Sequence, residues 1–167
     1  MKKLLVLISL LAITGQLFSQ LVVADQEELK QFKKTKTIAF LEPNPLLQYN
    51  RIIKDVMEKH WDITEFEIKP YDGEKFEQQR LDPNLSFLMI NRIYYERDKT
   101  RAQYQFLNLS LGGNYDLAGQ MPTLSGLPIS YVDVEEDTYD YKLGLILRFI
   151  QEHIKVSMEH PDLNKSR

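Results

Sequence analysis

The sequence predicts a single three-layer α/β domain built on a mixed five-stranded sheet, with helices on both faces. Three observations carry that expectation. Leu85 and Phe87 to Ile90 form an apolar run too short for a helix and apolar on both faces, as a covered central strand should be. Ahead of it, short apolar runs alternate with helical periodicities, the order that builds a parallel sheet. Behind it, Tyr139 to Met158 carries an apolar stripe of helical period over a long C-terminal stretch.

At 167 residues, 43% hydrophobic and 27% charged, the chain has the composition of an ordinary globular domain with room for a sizeable core. It has no cysteine, which excludes a disulfide framework, a thiolate metal site and a thiol nucleophile.

Met1-Lys2-Lys3 followed by the apolar run Leu4 to Ile13 reads as a secretory signal peptide, residues 1–19, and is too short to span a bilayer. Cleavage is expected after Ser19, with Ala24 as the alternative. Removal of Lys2 and Lys3 takes the basic count from 21 to 19 against 24 acids, for a net charge of -5. A periplasmic or secreted acidic domain is a poor partner for nucleic acid or an anionic membrane surface. The mature chain is expected to carry no transmembrane segment.

Residues 20–35 form a charged N-terminal segment in which Leu29 and Phe32 are the large apolar residues after Asp25. It is read as solvated and partly frayed, or as a short helix docking those two side chains. The α/β domain then spans residues 36–160, and 161–167 is expected to be a loose tail.

Thr37 to Leu41 is the first strand. Asn44 and Pro45 suit the N-cap and first position of a helix whose stripe is Leu46, Tyr49, Ile53, Val56 and His60. Trp61 to Lys69 alternates like an edge strand ended by Pro70. Asp72 caps a short helix carrying Phe76. The long hairpin follows, from Leu85 to Leu111 around Arg97-Asp98-Lys99-Thr100. A four-residue loop there sets Leu88 opposite Leu109, Ile90 opposite Leu107, Arg92 opposite Gln105 and Glu96 opposite Arg101. The expected order is a parallel core 2-1-3, an antiparallel strand 4, then a short strand 5 at residues 129–132 after a loop rich in Gly and Pro. In the last helix Gly144 is expected to allow close approach to the sheet, while Leu145 and Phe149 leave little of its middle polar.

No phosphate loop, dinucleotide fingerprint, His-Glu-x-x-His or nucleophile elbow occurs. His60, His153 and His160 lack the spacing of a metal pair and are read as structural or exposed. The acids Asp133, Glu135, Glu136, Asp137 and Asp140 precede the last helix. They are read as helix capping, with Mg²⁺ or Ca²⁺ binding as the sharper alternative; otherwise no cofactor is expected. In open α/β sheets, ligands gather beyond the carboxyl ends of strands where the order reverses. That point would collect Glu42, Asn44, Asn91 and Arg92, joined by Asp133 if strand 5 runs parallel to strand 1. The first reading is a structural polar cluster in which Arg92 is paired to an acid; the second is a small-ligand site. Tyr94, Tyr95, Tyr104 and Phe106 surround the far half of the hairpin. They are read as core or, if exposed, as a protein or glycan contact.

The signal ending in Ser19-Gln20, with Trp61-Asp62-Ile63-Thr64 and Asn108-Leu109-Ser110-Leu111-Gly112-Gly113, resembles a family of small exported, periplasmic proteins of Bacteroidota. The resemblance implies location over most of the mature chain and brings no activity or functional residues. The three-layer outline also looks like small α/β modules of cell-envelope assembly proteins. The expected function is a non-catalytic envelope protein that binds another envelope protein. A small-ligand receptor at the strand-1/strand-3 crevice comes second, and a metal-dependent hydrolase near Asp133 third.

Overall fold

The computed structural model describes residues 22–95, 98–132, 134–135 and 139–161. The predicted signal peptide, Glu96, Asp133, Glu136, Asp137 and all but the first residue of the predicted tail lie outside these residues.

Five strands form one sheet in the order β2-β1-β3-β4-β5. They are β1 (Lys36–Leu41), β2 (Glu65–Pro70), β3 (Leu85–Tyr94), β4 (Gln103–Leu111) and β5 (Thr123–Tyr131). β1 lies parallel to both β2 and β3, and β4 is antiparallel to both β3 and β5. The hairpin has the register the aliphatic residues dictate, with Leu88 opposite Leu109, Ile90 opposite Leu107 and Arg92 opposite Gln105. β1 pairs with β3 only as far as Ala39 and Leu88. Beyond that point β3, β4 and β5 continue as a three-stranded projection.

One face of the sheet is covered by α1 (Gln26–Phe32), α2 (Gln48–His60) and α4 (Leu143–Glu159). Their core joins Leu29 and Phe32 to Ile53 and Met57, to the sheet residues Leu88, Leu107 and Leu109, and to Leu147, Ile150 and Ile154. The other face carries a smaller aromatic core of Phe40, Phe76 and Phe87. It lies under α3 (Gly73–Gln79) and the 112–122 segment, whose Met121 joins it. The Phe40 and Phe87 rings stack at 5.9 Å, and Phe76 meets both edge-on.

The charged N-terminal segment is helical where it can dock Leu29 and Phe32. Asp25 and Glu28 form a reciprocal capping box at its start, which satisfies donors that would otherwise face water. Ahead of the cap, the Thr123 amide donates to the Val22 carbonyl at 2.6 Å, and the Ala24 amide donates to the Thr123 carbonyl at 3.0 Å. This stretch therefore lies against the start of β5.

Several elements differ from expectation. The Asn44 carboxamide accepts from the Leu46 amide at 3.1 Å and closes a turn instead of capping a helix. α2 starts only at Gln48, and Leu46 is 89% exposed. Trp61 belongs to the end of α2, because its amide bonds to the Met57 carbonyl, and β2 begins at Glu65. β5 is nine residues long and runs through Gly126 and Pro128. A bulge beside Pro128 and a position at the sheet edge let a residue with no N–H stay in the strand. The last helix starts at Leu143 with Lys142 at its N-cap and no side-chain cap, and Asp140 opens the 3-10 turn (Asp140–Lys142) that leads into it. Gly144 faces Val56 and His60 of α2 and not the sheet.

Candidate functional site

The crevice beyond β1 and β3 is built from the turn that follows Leu41, and a side chain from α2 fills it. The Asn50 carboxamide is buried. It accepts from the Glu42 amide at 2.8 Å and donates to the carbonyls of Glu42 and Asn44 at 3.0 and 2.9 Å. Three backbone groups that a ligand could otherwise engage are thus satisfied within the chain. Beneath them the Tyr49 ring is fully buried; its hydroxyl donates to the Phe40 carbonyl at 3.4 Å, and burial pushes its pKa far up.

The predicted site residues converge only in part. Glu42 is half-buried; burial pushes its carboxyl pKa up, and the charge of Arg92 pulls it partly back. Arg92 is exposed and forms no ion pair within 4.0 Å among the described residues, so the expected buried pair is not formed. The reason is the projection: past Leu88 the strand has no β1 beside it, and Arg92 returns to water. Asn91 is half-buried opposite Phe106, on the sheet face away from Arg92, because successive strand residues alternate. Asn44 is exposed and committed to its turn. β5 does run parallel to β1, but β3 and β4 lie between them, and Asp133 lies outside the described residues. Among the described residues no group of three or more His, Cys, Asp or Glu could hold a metal ion.

Sequence reasoning passed over two polar groupings. Arg80 at the end of α3 is buried; its guanidinium donates to the Tyr115 and Asp116 carbonyls at 2.6 and 3.2 Å and to Glu77 at 2.6 Å. It ties the 112–122 segment over the aromatic core. Close by, Gly112 is needed for space: a Cβ there would sit 2.4 Å from the Asp82 carbonyl oxygen. At the same end of the sheet, where β1 and β3 start, buried hydroxyls form a row. Thr35 Oγ1 donates to the Phe32 carbonyl at 2.8 Å and lies 2.9 Å from Ser86 Oγ. Thr37 Oγ1 is 2.8 Å from Ser86 Oγ and 2.6 Å from Thr64 Oγ1, to which the Trp61 indole donates at 3.0 Å. Both groupings bind the fold together and point at no ligand.

The projection is the more distinctive surface. On the face opposite α1, α2 and α4 it carries Ile93, Tyr95, Tyr104, Phe106, Pro128 and Tyr131, and neither buried cluster extends to them. The Tyr95 and Tyr104 rings meet at 5.5 Å, and Tyr104 and Tyr131 at 5.0 Å. Tyr95 and Tyr131 are exposed, while Tyr104 and Phe106 are half-buried. Packing in the core is therefore not the fate of the hairpin aromatics. The row is held in place at the loop. Asp98 accepts from the amide and hydroxyl of Thr100 at 2.9 and 2.7 Å and from the Tyr104 hydroxyl at 3.2 Å. These bonds, that of the Thr100 hydroxyl first, hold the Asp98 carboxyl below the usual range.

Comparison with protein-family models, curated proteins and solved structures finds no match. No helix among the described residues is long and apolar enough to cross a membrane.

Proposed function

We propose that the chain is an exported, non-catalytic envelope protein that binds another envelope protein through the aromatic row of its projection. The observation that carries the reading is Tyr95–Tyr104–Tyr131, a row of rings on a sheet face that no helix among the described residues covers, continued by Ile93 and Phe106. Tyrosine offers a large rigid contact with a polar tip and loses little conformational entropy on binding, which suits a protein interface. A photo-crosslinking residue at Tyr131 should trap a partner in envelope preparations, and the same residue at Leu46, exposed in the turn ahead of α2, should not. Equal adducts from both positions would remove the basis for the reading.

The crevice reading has less support, since Asn50 occupies the backbone groups there. Its remaining support is the charge of Arg92, unpaired among the described residues, which reaches Glu42. The hydrolase reading rests on acids that the described residues do not bring together.

Export is supported by the basic start and the apolar run Leu4 to Ile13. The contacts of Val22 and Ala24 with Thr123 favour a mature chain starting at Gln20, because a cut after Ala24 would delete them. N-terminal sequencing of extracytoplasmic protein should return Gln20; recovery of Met1 from the cytosol would end the proposal.

A further inference from the structure

The three open edges of this sheet are treated differently by the sequence. β2 is an edge strand guarded by Glu65, Glu67 and Lys69 and ended by Pro70; Glu67 is bridged to Lys36 at 2.8 Å and Lys69 at 3.1 Å. The projecting half of β3 carries Arg92. Charges of this kind keep a strand from pairing with a foreign one. β5, the other edge of the sheet, reads Thr-Leu-Ser-Gly-Leu-Pro-Ile-Ser-Tyr and has no charged residue in nine.

The helix beside that edge leaves a mainly apolar arc in solvent, interrupted by Glu152, whose charge is paired with Lys155 at 3.1 Å. Gly144, Arg148 and Gln151 of α4 face α2: Gly144 lies against Val56, Arg148 contacts the His60 ring, and Gln151 bonds to the His60 carbonyl and the Asp62 amide. His153, on the other flank, touches Ser125 of β5 at 3.2 Å, and its ring stacks on Phe149. At 100° per residue, Leu145, Phe149 and Val156 fall between that flank and solvent, on the shoulder above β5. Tyr141, Leu145, Phe149 and Val156 are 73, 72, 55 and 41% exposed.

The geometry points to a second copy of this chain as the occupant: two β5 edges pair antiparallel across a two-fold axis, and the α4 shoulders pack against each other. Two properties favour a copy over a different partner. A two-fold contact sets each strand against itself, so any charge near the axis meets its like; a charge-free edge avoids this. The four exposed apolar residues offer an area on the order of 450 Å² per protomer. With the edge strands added, the pair buries about 1,000 Å², the lower bound for a specific interface. Thr123 is already engaged by Val22 and Ala24, and Pro128 has no N–H to give, which centres the pairing on Leu124 to Leu127. The aromatic row lies on the opposite face of the sheet from the α4 shoulder, and the Pro128 and Tyr131 that it shares with β5 fall outside the Leu124 to Leu127 centre of the pairing.

The test is the solution mass of the natively processed protein by sedimentation equilibrium. Twice the chain mass is expected, falling to one chain mass in Phe149→Asp with an unchanged far-ultraviolet circular dichroism spectrum. A single-chain mass for the wild type at every soluble concentration overturns the inference, and so does a dimer that Phe149→Asp leaves intact. Should Phe149→Asp fail to fold, the cysteine-free background provides a second measurement. Phe149→Cys should be joined into dimers by a short bis-maleimide and Leu46→Cys should not; the reverse result, or equal joining, also overturns it.

Discussion

Asn50 grips Glu42 from both sides, accepting from its amide at 2.8 Å and donating to its carbonyl at 3.0 Å. A side chain from the first turn of α2 thereby replaces the backbone partners that β1 loses where it leaves the sheet. Asn50→Ala leaves a buried amide and carbonyls without partners. The expected cost is about 1–3 kcal/mol in urea unfolding; an unchanged midpoint would show that water replaces the carboxamide freely.

The two arginines should separate cleanly. Arg80→Met removes charged bonds to the Tyr115 and Asp116 carbonyls and releases the 112–122 segment, with an expected loss of about 2–4 kcal/mol. Arg92→Met should stay within about 0.5 kcal/mol of wild type, because Arg92 is exposed and unpaired among the described residues. Paired unfolding curves decide this. Comparable losses would mean that Arg92 has a buried partner after all.

Glu42 gives a pH signature. Burial raises its folded-state pKa above the ordinary glutamate value of 4.5, so the folded state holds the proton more tightly than the unfolded chain. Its contribution is fully present below the unfolded pKa and is lost as pH rises through the folded one. Glu42→Gln should therefore raise the melting temperature at pH 7 and lose that advantage near pH 4. Arg92 partly offsets the burial, so the gain should be larger in an Arg92→Met background. A lower melting temperature at pH 7 would reverse the sign of the argument.

Gly144→Ala should stabilise the protein by roughly 0.5 kcal/mol. A Cβ there would lie 3.5 Å from Val56 Cγ1 and 3.9 Å from His60 Cδ2, ordinary contact distances, while the helix loses a residue with excess unfolded-state freedom. Thermal melts are sufficient to check it, and a decrease would mean that α2 and α4 are packed too tightly to admit a methyl group.

Sheet order and hairpin register were legible because they depend on side-chain alternation. Leu88 and Ile90 can face Leu109 and Leu107 in one register only without sending aliphatic residues to water. The roles of Asn50 and Arg80 were not legible, since both bind backbone carbonyls, and a carbonyl has no identity in a sequence. Gly126 and Pro128 disguised β5 as a loop; only its edge position and bulges make them tolerable. Asn91 and Arg92 stood out as polar residues ending the most apolar strand, and the length by which β3 outruns β1 removed the burial that made them interesting. Leu145 and Phe149 were visible as an apolar arc wider than one buried stripe. The sequence shows that they leave little of the helix's middle polar, and α4 holds both in solvent.

Trp61 is the chain's single tryptophan, and its indole N–H ends the hydroxyl row that crosses from Thr64 through Thr37 and Ser86 to Thr35. The row joins the approach to β2, then β1 and β3, to the carbonyl of Phe32 in α1. Its members sit on three separate stretches of chain, so it exists only when all three are docked. The indole thus acts as an optical probe of one end of the sheet: its emission colour follows the seating of α1 and the parallel strands, and it is blind to what happens among the tyrosines of the projection.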